Sequence, residues 1–152
     1  MNTIGLENIK ITDGFWKVKQ DMVNDVTLKS VYERFAETHR FSALKCEWKE
    51  GDPDLPHVFW DSDIAKWLES VGYILNFYKN DEMEKIADEA IADICRNMDD
   101  KGYFNSHFLV TGERFTERNE HELYCAGHLM EAAVAIYKST GKKALLDAMC
   151  KY

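Results

Sequence analysis

The stretch Glu120-His121-Glu122-Leu123-Tyr124-Cys125-Ala126-Gly127-His128-Leu129-Met130-Glu131-Ala132-Ala133-Val134-Ala135-Ile136-Tyr137-Lys138-Ser139-Thr140 decides the fold. Its apolar residues surround most of a helical circumference, and a helix apolar nearly all round is a buried one. Thr140-Gly141 closes it as a C-cap. At about 100° per residue and relative to His121, Tyr124 falls near about −60°, Cys125 near about +40°, His128 near about −20° and Glu131 near about −80°. Five chemically active side chains thus share an arc of roughly 120°. A buried polar group without a partner costs about 1–3 kcal/mol. Any one of these residues alone would serve to cap or cross-link neighbouring helices. The set together predicts the lining of a cavity.

Upstream, Asp61 or Ser62 offers an N-cap for a second helix to about Lys79. It too is apolar nearly all round, through Ile64, Ala65, Trp67, Leu68, Val71, Ile74, Leu75, Phe77 and Tyr78. The next helix is a clean amphipath, with Met83, Ile86, Ala87, Ala90, Ile91, Ile94 and Met98 on one stripe, so it is an outer helix. A second amphipath starts near Lys142. Met22, Val26, Val31 and Phe35 place a further helix over about 21–38. Residues 40–59 and 103–119 read as long loops, and 1–19 as an extended arm with a turn at Asp13-Gly14. No segment alternates as a strand would. The rhythm of buried helix, amphipathic helix, long loop, repeated, is that of an all-α toroid of inner/outer helix pairs. A three- or four-helix bundle is the alternative, but it does not need helices apolar all round.

With 152 residues, 45% hydrophobic and 30% charged, the chain suits a single globular domain over 1–152. Its net charge of −8 argues against nucleic acid and against an anionic membrane surface as partners. No basic segment followed by an apolar run opens the sequence at Met1–Glu7, and no apolar run approaches the ~18 residues of a membrane span. Cys46, Cys95, Cys125 and Cys150 are widely spaced, as free packed thiols are. A cytoplasmic location is the expectation.

A second constellation lies on the helix from Asp61, where Trp60, Asp63, Trp67 and Ser70 fall within roughly 80° of arc. An aromatic ring beside a carboxylate is how proteins hold sugars, although Trp67 alone reads as core. Asp63 and Glu131 are the candidate carboxylate pair, for which glycoside chemistry needs a defined separation. As zinc ligands, His121, Cys125 and His128 are awkward, since their ends lie about 10.5 Å apart along a helix axis. The order His121-Glu122 does not continue into H-E-x-x-H.

Three stretches resemble glycoside hydrolase family 127, the β-L-arabinofuranosidases. They are His57-Val58-Phe59-Trp60-Asp61-Ser62-Asp63-Ile64-Ala65-Lys66-Trp67-Leu68-Glu69, Asp100-Lys101-Gly102-Tyr103-Phe104-Asn105, and His121 to Ala133 of the stretch above. The resemblance covers nearly the whole chain in the right order. It implies part of an (α/α)6 barrel, an incomplete toroid whose inner helices and end loops line a pocket for a terminal arabinofuranose. It also implies retaining chemistry by a cysteine nucleophile near zinc with a glutamate acid/base, all from positions downstream of the third motif. Cys125 is not that nucleophile.

The expectation is therefore an N-terminal portion of a β-L-arabinofuranosidase-like hydrolase, truncated or split, with no catalytic residue, no metal ligand and no cofactor of its own. His121, His128, Glu131, Trp60, Asp63 and Tyr124 are its expected contacts to an arabinofuranoside-like carbohydrate. The chain alone is expected to be inactive. The competing reading is a stand-alone helical binding or oligomerisation module, whose bare inner surface drives self-association.

Overall fold

The computed structural model describes residues 4–152, and every regular element among them is helical. After a short 3-10 turn at Leu6–Asn8, α1 (Gly14–Met22) runs through a π-helical turn at Val23–Thr27 into α2 (Leu28–Glu37). Then follow α3 (Arg40–Ala43), α4 (Trp60–Leu75), α5 (Asp81–Asn97), α6 (Ser106–Thr111), α7 (Glu122–Thr140) and α8 (Ala144–Met149).

The centre of the molecule is the seam between α4 and α7. Phe59 meets His121, Lys66 meets Tyr124 and Gly72 meets Ala135, so the contacts climb both helices in step and the helices run parallel. Small residues let them approach closely. A Cβ at Gly72 would stand 2.8 Å from the Ala135 carbonyl carbon and 2.9 Å from the Ile136 nitrogen, a space only glycine leaves open. Ile64, Ala65, Leu68 and Val71 from α4 and Ala126, Leu129, Ala132 and Ala133 from α7 are all buried in the common core. Parallel neighbours need a return path, which α5 provides after α4. Asn80 caps α5 by accepting from the Met83 amide at 3.2 Å, and the helix buries Met83, Ala87, Ala90, Ile91 and Ile94. The amphipathic stripe read from the sequence is the one buried. α8 then packs back on α7 and α5.

Four expectations are corrected. The arm 1–19 is not extended throughout: the chain is helical from Gly14, and Asp13-Gly14 opens α1 rather than making a turn. Residues 1–3 of that arm lie outside the described residues. The supposed loop 40–59 begins with α3, because left-handed His39 (φ 65°) ends the preceding helix and starts the next. The loop 103–119 contains α6, capped by Asn105 at its start and closed by Gly112 at φ 82°. Finally, α7 is not buried all round. Leu123, Tyr124, Met130, Val134 and Tyr137 form a solvent-facing side, since the helix packs through its alanines and Leu129 instead. No helix among the described residues is long and apolar enough to cross a membrane.

Candidate functional site

Both α4 and α7 begin at the same end of the molecule, and neither starts with a side-chain cap. His121, expected inside its helix, is the residue before it, held left-handed at φ 63°. Phe59 stands at the same position before α4, with φ −119°. These two positions begin a file of rings: His57–Phe59 at 4.2 Å between centroids, Phe59–His121 at 5.7 Å, His121–Tyr124 at 5.7 Å and Tyr124–His128 at 4.6 Å. Most of the contacts are edge-to-face or tilted, the arrangement aromatic quadrupoles favour. Lys66 donates to the Tyr124 hydroxyl at 2.8 Å. Beside this file a groove of about 630 Å³ opens, lined by Phe115, Glu117, Arg118, Asn119, His121, Leu123 and Tyr124.

One turn further down the seam, His128 Nδ1 lies 3.0 Å from Glu131 Oε2, but out of line for a hydrogen bond, so that buried nitrogen has none among the described residues. Glu69 joins them from α4, and donor atoms of the three residues lie within 4.8 Å of one another. The Tyr73 hydroxyl donates to Glu69 Oε1 at 2.8 Å, and this bond pushes the Tyr73 phenol up.

The other expected contacts stand apart. Asp63 accepts from Arg40 Nε at 2.8 Å, and the same guanidinium lies over the Trp60 ring at 5.2 Å. The structure thus gives Asp63 and Glu131 separate partners, Arg40 and His128. Trp67 is core: its indole donates to the Leu28 carbonyl at 2.9 Å, and Tyr32 and Phe41 pack on its ring. Cys125 is fully buried and donates to the Val58 carbonyl at 3.6 Å. Burial pushes its thiol up to about 12, so at neutral pH it is protonated and a poor nucleophile. The four cysteines remain free thiols, and none belongs to a group of three metal donors among the described residues.

Two buried carboxylates escaped the reading of the sequence. Asp61, which resembled a cap, sits within the first turn of α4 and accepts from the Ser106 amide at 2.7 Å. Its other oxygen has no hydrogen-bond partner among the described residues, and burial pushes the carboxyl up to about 6. Glu122 accepts from the Tyr103 hydroxyl and from the Phe115 amide at 2.6 Å, which ties the wall of the groove to the core. Burial and that bond push the Tyr103 phenol up. The signal for both was an acid beside a helix start, where capping and cross-linking look alike. Glu69 was also missed, although the spacing Lys66, Glu69, Tyr73 puts it on the helix face that Lys66 presents to Tyr124.

Comparison with known proteins agrees with this architecture. Residues 8–152 match the model of the β-L-arabinofuranosidase GH127 catalytic domain. A non-reducing end β-L-arabinofuranosidase of Bifidobacterium longum subsp. longum is 28% identical over 95% of this chain and 26% of its own length. The crystal structure of a GH127 β-L-arabinofuranosidase from Geobacillus stearothermophilus superposes with a TM-score of 0.88 at 38% identity, over 95% of this chain and 25% of that one. A second solved GH127 β-arabinofuranosidase gives 0.86 at 27% identity, over 97% and 25%. The chain spans about a quarter of the length of these relatives. The parallel seam of α4 and α7 is thus part of an (α/α)6 barrel, and the chain belongs to the GH127 β-L-arabinofuranosidase catalytic-domain family.

Proposed function

We propose that this chain is the N-terminal helical part of a β-L-arabinofuranosidase-like glycoside hydrolase and supplies a wall of its sugar site. The observation that carries the reading is the file of rings from His57 to His128 beside the groove. Ring faces take the apolar C–H side of a furanose, while the His121 imidazole and Tyr124 hydroxyl offer hydrogen bonds to its hydroxyls. His128 and Glu131 stand below as supporting groups. Trp60 and Asp63, engaged by Arg40, shape the neighbouring rim. Bond cleavage falls to groups outside this wall.

The test is saturation-transfer NMR with methyl β-L-arabinofuranoside. Transfer to the ring protons of the sugar is expected. His121→Gly, which leaves the left-handed backbone unstrained, and Tyr124→Ala should each weaken it about tenfold, the ~1.4 kcal/mol of one lost contact. Unchanged transfer in both variants refutes the wall. Release of L-arabinose from an aryl arabinofuranoside by the chain alone refutes the absence of chemistry.

A second reading, self-association, is favoured by the exposed apolar side of α1, where Phe15, Trp16 and Val18 are 64%, 68% and 65% exposed. Light scattering should then show a dimer that Trp16→Glu dissolves; a monomer at all concentrations excludes it.

A further inference from the structure

The geometry points to a second site on this chain, which shares His128 with the foot of the ring file but does not rest on sugar binding: we propose that Glu69, His128 and Glu131 bind a divalent first-row transition cation that clamps α4 to α7. Three potential ligands converge from two helices, with donor atoms within 4.8 Å of one another. An ion with bonds of about 2.1 Å sets neighbouring donors roughly 3–4 Å apart. His128 and Glu131 already stand 3.0 Å apart, so it is Glu69 that turns inward to close the difference.

The groups are poised rather than satisfied. His128 Nδ1 is buried and, among the described residues, has the 3.0 Å contact to Glu131 but no hydrogen bond, and the ring packs T-shaped on Tyr124. Glu131 faces this nitrogen and Glu69 stands within 4.8 Å of the pair; among the described residues neither carboxylate forms an ion pair with lysine or arginine. Lys66, one turn before Glu69, directs its ammonium to Tyr124 instead. Tyr73 holds one oxygen of Glu69 and leaves the other for an ion, as partners behind metal ligands do. One imidazole nitrogen with two carboxylate oxygens suits zinc, cobalt or manganese better than calcium. Three protein donors leave coordination positions for water. No cysteine takes part.

Cobalt(II) is the probe, titrated into the purified chain and followed in the visible spectrum. Binding here gives weak d–d bands with no thiolate charge-transfer band, and Glu131→Gln and Glu69→Gln each weaken it at least about tenfold. Glu131 is exposed, so its variant keeps the fold, which circular dichroism checks. Zinc should also raise the melting temperature of the wild-type chain and leave that of Glu131→Gln unchanged. Absence of d–d bands at about 1 mM cobalt, a thiolate band placing the ion on a cysteine, or equal binding by both variants overturns the proposal.

Discussion

Replacing Gly72 with alanine tests the seam on which the rest of the molecule hangs. Two effects of opposite sign meet at this position. As an interior helical residue, alanine is favoured over glycine by about 1 kcal/mol. Against this, the new methyl would lie 2.8 Å from Ala135 C, 2.9 Å from Ile136 N and 3.0 Å from Ala135 Cβ. Two of those three atoms are backbone, so no rotamer change relieves them and α7 has to move away from α4. Overpacking of this kind costs about 1–3 kcal/mol, and a backbone neighbour puts it at the upper end. The net expectation is a loss of about 1–2 kcal/mol, or a fall in Tm of about 2–8 °C for a domain of this size. Gly127 provides the control. It lies in α7 with ordinary helical backbone, and a Cβ there meets nothing within 4 Å. Gly127→Ala should therefore gain about 1 kcal/mol from propensity alone. Thermal unfolding of both variants, followed by circular dichroism, should show shifts of opposite sign. If Gly72→Ala is as stable as Gly127→Ala, the close approach of the two helices is wrong.

Three further outcomes follow from single side chains. The Asp61 carboxyl is raised to about 6 by burial, above its ordinary 3.8, so the folded state binds the proton more tightly than the unfolded one. The associated stability is present below about pH 4 and is lost as pH rises through about 6, up to about 3 kcal/mol; this slope in urea midpoints should vanish in Asp61→Asn, and its persistence there would refute the assignment. Glu122→Ala strands the buried Tyr103 hydroxyl, at about 1–3 kcal/mol, and releases the Phe115 amide. Limited proteolysis should then cut within 112–120, and equal resistance to wild type would show that the carboxylate does not hold the loop. Asn80→Ala removes the α5 cap and should cost about 1 kcal/mol in urea denaturation.

Local chemistry made some elements readable. The α5 stripe and the Gly141 terminus rest on periodicity and on a left-handed glycine (φ 75°), which are properties of neighbouring residues. The starts of α4 and α7 rest on tertiary partners. Asp61 has the composition of a cap, yet its acceptor serves an amide in α6. α1 escaped notice because Phe15, Trp16 and Val18 are exposed, so no apolar stripe is set against a polar face. A helical wheel gives angles and not neighbours. It grouped His121, Tyr124, His128 and Glu131 well, because they share one helix and its first cap. It could not foresee that Arg40, from a segment read as loop, would engage Trp60 and Asp63. Nor could it bring Glu69 across from the partner helix.

Because α4 and α7 run in the same direction, the two ends of the molecule tolerate change differently. At one end the chain turns into α5 through residues 76–80 and into α8 through 141–143, short spans that set the register of the seam at Gly72. At the other, the chain arrives through the longer spans 44–59 and 112–121, neither of which sets that register and the second of which carries most of the groove. Insertions or substitutions in those spans can therefore reshape what the groove accepts while leaving the core untouched. A scaffold with one conservative end and one permissive end can remodel its groove without having to fold anew.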